Sequence, residues 1–275
     1  MSDLFMKNEE KVTVIIPTYN RMGTIAESVQ SVLDQTYSNL ELLIVDDGST
    51  DGTESVIKEF TDNRINYVRM DKNGGVANAR NVGVSLAKTD WIAFQDSDDI
   101  WHKDKLEKQM TYAKEHPEYA LIYSKYRLIY PDGEESVVPA YPNEVMEGDI
   151  FKPLLERNVI GAPTVLIKRE TFMDIGGFDT EFHALEDWDF VIRFAKQYRI
   201  GFIDEMLMDA RMLNGGVSSN IANYYEARCR MLRLYKDDML REGVFNSVVT
   251  NILEKAQRRG ILDAVQKMMQ LYLLS

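Results

Sequence analysis

The first hundred residues alternate between apolar runs and amphipathic stretches, and most of the runs are closed by a polar cluster. Residues 12–16 (VTVII) run apolar up to Pro17, and residues 40–45 (LELLIV) run up to Asp46. Residues 65–69 (INYVR) are shorter, and residues 91–95 (WIAFQ) lead straight into Asp96. Such runs suit strands of a parallel sheet buried on both faces. Between them, Ile25, Val29, Val32 and Leu33 recur at helical spacing within about 23–35. Val56 and Ile57 lie on a second helix, and a third is expected over about 76–88. The clusters 46–52 (DDGSTDG) and 73–75 (NGG) are turns that lead into these last two helices. The series β-α-β-α-β-α-β predicts a parallel sheet covered by helices. Ligands bind beyond the carboxyl ends of such strands, where residues 17–21, 46–51 and 96–99 form polar clusters.

The second half is more mixed. Residues 105–115 read as a helix, residues 119–130 as β-rich up to a Pro131-Asp132-Gly133 turn, and residues 164–168 as a further strand. Gly176-Gly177-Phe178-Asp179 is a turn ahead of a helix that starts near Glu186. Residues 222–272 read as almost wholly helical, with breaks at Gly243 and near Gly260.

Composition narrows the class. The 275 residues are 45% hydrophobic, enough for a substantial core, and the net charge of -12 argues against nucleic acid as a partner. Cys229 is the only cysteine, so no intrachain disulfide forms. There is no apolar signal segment at the N-terminus, no stretch of about 18 apolar residues and no N-x-S/T sequon, so a cytoplasmic protein is expected.

Asp96, Asp98 and Asp99 put three carboxylates within four residues. Charges this close repel by roughly 1 kcal/mol per pair even in water. A divalent cation relieves that repulsion, and hard carboxylate oxygens suit Mg²⁺ or Mn²⁺ with diphosphate oxygens completing the shell. A helix-capping loop would use the same residues. Asp46 and Asp47 fit a turn equally well, or a carboxylate that accepts the imide N–H of a uracil ring. Glu186-Asp187-Trp188-Asp189 opens a helix whose apolar stripe includes Trp188, Val191, Ile192 and Ala195. Its acids favour the helix dipole, or Asp187 acts as a general base. Arg80 is either a solvated surface residue or a neutraliser of phosphate. His102, His116 and His183 lack metal-ligand spacing and read as surface or packing residues.

The ordered set VTVIIPTYNR, LELLIVDDGSTDGT, NGGVANARNVG, WIAFQDSDD, GGFD and EDWD resembles the family-two glycosyltransferases over about residues 11–215. That resemblance implies an α/β GT-A fold, a Rossmann-like, mostly parallel sheet flanked by helices. It also implies inverting transfer from a nucleotide-sugar donor, UDP-linked, to an acceptor hydroxyl in cell-surface polysaccharide or glycan synthesis. By the same analogy Pro17, Thr18, Tyr19 and Asp47 bind the donor, with the nucleobase against Pro17, Tyr19 and Asp47. Arg80 sits near the diphosphate, Asp96 meets the ribose or the metal, Asp98 binds Mn²⁺ or Mg²⁺, and Asp187 is the catalytic base. The acceptor is then a glycan or a lipid-linked glycan. The family's R-x-H pattern meets Arg211-Met212-Leu213 here, and Leu213 cannot ligate a metal.

The expected organisation is a catalytic domain over 1–215 and a helical tail over 216–275. The tail interleaves an apolar face with Lys255, Arg258, Arg259 and Lys267. Its expected role is docking on protein, within the chain or across a homodimer, with a secondary peripheral contact at the inner face of the membrane. Two rival readings are a nucleotide-sugar binding protein without catalysis and a nucleotidyltransferase. The missing G-x-x-x-x-G-K-[ST] loop argues against a P-loop NTPase.

Overall fold

The computed structural model describes residues 10–140, 146–212 and 220–274. Leu213 and the loop that follows it lie outside these residues. Strands β1 (Val12–Thr18), β2 (Leu40–Asp46), β3 (Ile65–Arg69) and β4 (Trp91–Phe94) are parallel neighbours in the order β3-β2-β1-β4. Helices α1 (Ile25–Leu33), α2 (Thr53–Lys58) and α3 (Val76–Leu86) connect them, as the apolar periodicity predicts. The sheet then continues through β8 (Leu166–Lys168), β6 (Leu121–Ile129), β9 (Ile200–Arg211) and β5 (Ile100–Trp101), with β7 (Glu135–Val138) paired to β6.

The side-chain alternation of period two sorts the parallel strands onto two cores. Val12, Val14, Ile16, Leu42 and Ile44 face α1 and α4 (Lys105–Glu115). Ile15, Leu43 and Val45 face α3 and, beyond it, α7 (Glu186–Ala195). Gly83 lets α3 lie close on β1, because a Cβ there would stand 2.6 Å from Ile15 Cγ2. That close approach sets Arg80, one turn earlier on the same face, under the carboxyl ends of β1 and β4.

Several elements depart from expectation for local reasons. β1 runs through Pro17 to Thr18. The last pair with β4 is Ile15 with Phe94, so Pro17, whose N faces that side, removes no ladder bond. Residues 162–164 form a 3-10 turn around Pro163 and leave only Leu166–Lys168 as strand. β9 was not expected as a strand of twelve residues. Its centre, Asp204-Glu205-Met206, is exposed and coincides with register shifts against β6, so no alternation marks it. Helices α5 (Phe151–Glu156) and α6 (Arg169–Asp174) are six residues each, too short to show a period.

The tail folds as α8 (Ile221–Leu234), α9 (Lys236–Arg241), α10 (Phe245–Arg258) and α11 (Leu262–Leu274), with breaks at Tyr235, Gly243 and Gly260. Its apolar face docks within the chain. Tyr225, Met231, Val248, Ile252, Val265 and Met269 are buried in one core with Trp188 and Phe190 of α7. Asp189 joins the two parts: it accepts a 2.6 Å hydrogen bond from the Tyr235 hydroxyl and pairs with Arg193 at 2.8 Å. Arg193 in turn donates to the carbonyls of Ile175 and Gly177. No helix among the described residues is long and apolar enough to cross a membrane.

Candidate active site

The strand order reverses between β1 and β4, and the loops that leave their carboxyl ends frame one crevice. On the β1 side, Asn20 adopts φ 52°, a left-handed conformation that Asn tolerates and that turns the chain sharply. Its N–H donates to Ser49 Oγ at 2.9 Å and its Oδ1 accepts from Thr50 N at 2.8 Å. Arg21 N donates to Thr53 Oγ1 at 2.8 Å, and Met22 N to Asp51 Oδ2 at 3.1 Å. The Tyr-Asn-Arg and Ser-Thr-Asp loops therefore brace one another. Pro17 and Thr18 are buried in the wall they form, while Tyr19 stands 42% exposed at its edge.

The two acids after β2 divide. Asp46 is fully buried and accepts from Ser49 N at 2.7 Å and from the Tyr67 hydroxyl at 2.6 Å, which makes it a brace for the turn. Asp47 turns its oxygens to Gly74 N at 2.7 Å and Gly75 N at 2.8 Å, so it fastens the Asn-Gly-Gly turn beside the crevice. Burial nonetheless raises its pKa above the usual carboxylate range, the two N–H donors offsetting only part of the desolvation.

The acidic loop after β4 is held from three elements. Ser28 Oγ of α1 donates to Asp96 O at 2.7 Å, and Gln95 Nε2 donates to Asp99 O at 2.8 Å. Arg211, at the end of β9, donates its N–H to Asp99 Oδ1 at 2.9 Å, its Nε to Asp98 O at 2.7 Å and its side chain to Glu27 at 2.6 Å. Asp98 faces Arg21 Nε at 3.5 Å. Burial, and next the charge of Asp96, raise the Asp98 pKa. Asp99 is pushed well above the carboxylate range by burial and then by both neighbouring acids.

Arg80 crosses the site. It is 3% exposed, donates to Asp96 Oδ1 at 2.7 Å and to Glu186 Oε1 at 2.6 Å, and lies over the Phe178 ring at 5.4 Å. With both terminal nitrogens engaged, it ties the β4 loop to the start of α7 across a separation of 106 residues from Glu186. Asn81, its neighbour, grips the Gly-Gly-Phe turn through Phe178 N and O at 2.9 and 2.8 Å.

Asp187 follows Leu185, whose φ of 61° turns the chain into α7. Its Oδ1 accepts from Trp188 N at 2.7 Å and Asn158 Nδ2 at 3.3 Å, and its Oδ2 faces Ala162 N at 3.4 Å. The residue as a whole is partly exposed, while its carboxyl group is desolvated. Desolvation, and then the charge of Glu186, lift its pKa from 3.8 to about 7, against the pull of Arg80. A carboxyl poised there is suited to taking a proton near neutral pH.

Sequence reasoning gave no role to Glu186, Arg21 or Asn158, although Glu186 and Arg21 stand inside the motifs themselves. The histidines stay outside the crevice chemistry: His102 faces Asp209 at 3.2 Å, His116 packs on Tyr112 and His183 is exposed. Among the described residues no cluster of three or more His, Cys, Asp or Glu forms a metal cage. Mg²⁺-like ions are held by one or two carboxylates plus ligand phosphates. The desolvated Asp98 carboxylate, repelled by Asp96 and paired with Arg21 at 3.5 Å, fits that donor set.

Residues 13–172 match the family model described as Glycosyl transferase family 2. A putative teichuronic acid biosynthesis glycosyltransferase of Bacillus subtilis, TuaG, is 35% identical over 212 residues, 76% of this chain and 82% of the relative. The Escherichia coli UDP-Glc:alpha-D-GlcNAc-diphosphoundecaprenol beta-1,3-glucosyltransferase WfgD is 33% identical over 213 residues, 76% of this chain and 80% of the relative. Some relatives from Rickettsia are longer, and the matched stretch spans about a third of their length. Among solved structures, Staphylococcus aureus TarS 1–349 in complex with UDP-GlcNAc superposes with a TM-score of 0.69 at 24% identity, over 90% of this chain and 72% of that one. The fold is GT-A.

Proposed function

This chain belongs to glycosyl transferase family 2, and from that premise we propose that it transfers a sugar from a UDP-linked donor to an acceptor hydroxyl with inversion. One observation carries the reading. Asp187, a carboxyl lifted to about 7, opens on the same crevice as Asp96 and Asp98, and Arg80 joins the two sides. Donor-side charge and a proton acceptor thus face one another where an α/β sheet binds its ligand.

In this reading the nucleobase lies against Tyr19, over the wall made by Pro17, Thr18 and Asp47. Asp187 takes the proton of the acceptor hydroxyl. The acceptor oxygen bonds to the anomeric carbon from the face opposite the diphosphate. The bond from that carbon to the phosphate oxygen breaks, its electron pair leaves on the nucleoside diphosphate, and the configuration inverts. A divalent cation, Mn²⁺ or Mg²⁺, held by Asp98 with Asp96 would supply Lewis-acid stabilisation of the leaving group. Arg80, with its terminal nitrogens committed, holds Asp96 in place rather than reaching for phosphate.

WfgD's name gives it a diphosphoundecaprenol-linked acceptor and TuaG's names teichuronic acid biosynthesis, and both support a reading in which the acceptor is a glycan or lipid-linked glycan of cell-surface polysaccharide. Residues 220–274 hold nine basic and six acidic side chains, against 32 and 44 in the whole chain. Leu234, Leu240 and Leu271 are exposed there, so a peripheral contact with an anionic membrane fits a lipid-linked acceptor.

The test is a thermal-shift screen of nucleoside diphosphates with and without Mn²⁺, followed by product analysis. Ligand at 100 times Kd adds about 2.7 kcal/mol of stability. UDP with Mn²⁺ is expected to raise Tm most, and turnover to release UDP and an inverted glycoside. Release of pyrophosphate from a nucleoside triphosphate would instead mark a nucleotidyltransferase. Donor binding without transfer to any glycan or lipid-linked acceptor would mark a binding protein.

A further inference from the structure

Arg228 on α8 is 3% exposed, and the titratable groups that act on its charge are Tyr224, Cys229 and Tyr225, none of them a carboxylate. Its Nε and one terminal nitrogen are buried without a hydrogen bond. Its guanidinium lies 4.2 Å from the centroid of the Trp188 ring. An unpaired buried charge is costly, and a leucine or methionine would fill the same space without that cost. Packing alone therefore does not account for an arginine here.

Trp188 gives the position meaning. It follows Asp187 directly, and its backbone N–H donates to Asp187 Oδ1 at 2.7 Å. Its indole N–H donates to Leu154 O of α5 at 2.6 Å. The segment that leaves α5 supplies Asn158 Nδ2 and Ala162 N, the other two groups on the Asp187 carboxylate. One indole thus couples the two elements that aim Asp187, and the tail's arginine lies against its face. A cation over a desolvated indole is at its strongest.

We propose that Arg228 is a positioning residue for glycosyl transfer: it fixes the Trp188 ring, which fixes α7 against α5 and with them the direction of the Asp187 carboxylate. The helical tail is then part of the catalytic apparatus and not an appendage. The inference rests on Asp187 being the base. A misplacement of about 1 Å in a reacting group can cost roughly 100-fold in rate, so a modest shift of the ring would be read in kcat.

The experiment is a kinetic and thermal comparison of Arg228→Met, Arg228→Lys, Trp188→Phe and the Arg228→Met/Trp188→Phe double variant, with Asp187→Asn alongside. Arg228→Met is expected to lower kcat at least about tenfold, in the range for a displaced reacting group. Its affinity for nucleoside diphosphate with Mn²⁺ should stay within about twofold, and its Tm should equal or exceed that of the parent, because a buried unpaired charge has gone. Arg228→Lys should recover part of kcat, since an ammonium can also lie on the indole. Trp188→Phe, which keeps a ring but loses the bond to Leu154, should show the same kcat loss, and the double variant should lose no more than the worse single one. The proposal is overturned if Arg228→Met turns over at the parental rate, or if kcat and Tm fall together with no recovery by lysine. Should Arg228→Met fail to fold, Arg228→Lys and Trp188→Phe decide the matter by the same split between kcat and donor affinity. If Asp187→Asn itself turns over normally, the assignment of the base has failed instead.

Discussion

Replacing Asp187 by Asn should reduce turnover while making the protein more stable at alkaline pH. The carboxyl is lifted from 3.8 to about 7 by desolvation and then by Glu186, with Asp96 adding to the repulsion. One pKa unit is 1.36 kcal/mol, so the ionised form sits on the order of a few kcal/mol above its state in water. A carboxyl with a folded pKa above its unfolded value holds its proton more tightly when folded. Relative to an uncharged Asn, the native state is therefore unpenalised below about pH 4 and loses stability as pH climbs to about 7. Above that the full difference applies, and each kcal/mol moves Tm by roughly 2–4 °C in a domain of 150–250 residues. Tm of Asp187→Asn should match the parent near pH 4 and exceed it by several degrees at pH 8. The same titration governs the chemistry with the same pKa: parental kcat/KM should rise with pH and level off above about 7, and the variant should lose about 100-fold or more, within the range for a general base. A flat parental profile between pH 5.5 and 8.5, with near-normal turnover in the variant, would refute the assignment. Tm curves that run parallel at all pH would refute the desolvation argument on its own.

Asp98→Asn should weaken Mn²⁺-dependent binding of nucleoside diphosphate by about tenfold or more, at least what the loss of a residue that only orients a metal ligand costs, as read by calorimetry; unchanged affinity would remove Asp98 from the ligand set. Arg80→Met leaves Glu186 and Asp96 without their partner, which should cost about 3–5 kcal/mol in denaturant unfolding. Gly83→Ala puts a Cβ 2.6 Å from Ile15 Cγ2 and should cost about 1–3 kcal/mol through overpacking; an unchanged midpoint would mean that α3 can shift freely. Ending the chain after Gly243 uncovers the core that Val248, Ile252, Val265 and Met269 close, so the shortened protein should lose solubility or change mass in light scattering. If it stays soluble at unchanged mass and loses only liposome binding, the tail serves the membrane first.

The parallel half of the sheet was legible because its strands are buried on both faces, which writes apolar runs such as LELLIV into the chain. The strands that complete the sheet were not, because β9 carries Asp204 and Glu205 through an exposed bulged centre and β5 is two residues long. At the site, motifs gave the positions but not the partners. Arg80, expected beside the diphosphate, pairs with Asp96 and Glu186, and no local pattern encodes those partners. Asp47 was expected at a nucleobase, and its oxygens hold Gly74 and Gly75. The docking of the tail follows from its apolar stripe, but the presence of Arg228 under Trp188 does not, since an arginine inside an apolar face looks like a solvated one.

The charge balance of the crevice bears on how an acidic protein can hold an anionic donor. Asp96, Asp98, Asp99, Glu186 and Asp187 converge there against Arg21, Arg80 and Arg211. Fully ionised, the acids outnumber the bases, and a diphosphate would add to the excess. The raised pKa values of Asp99 and Asp187 come first from burial, and this repulsion adds to them. Arg80 cannot relieve it, because moving to the donor would strand Glu186. A divalent cation can, since it cancels the carboxylate excess and presents positive charge to phosphate at once. Donor and cation are therefore expected to bind as a unit, each strengthening the other by the same factor. The arginines, by contrast, hold the acidic loop and the start of α7 together.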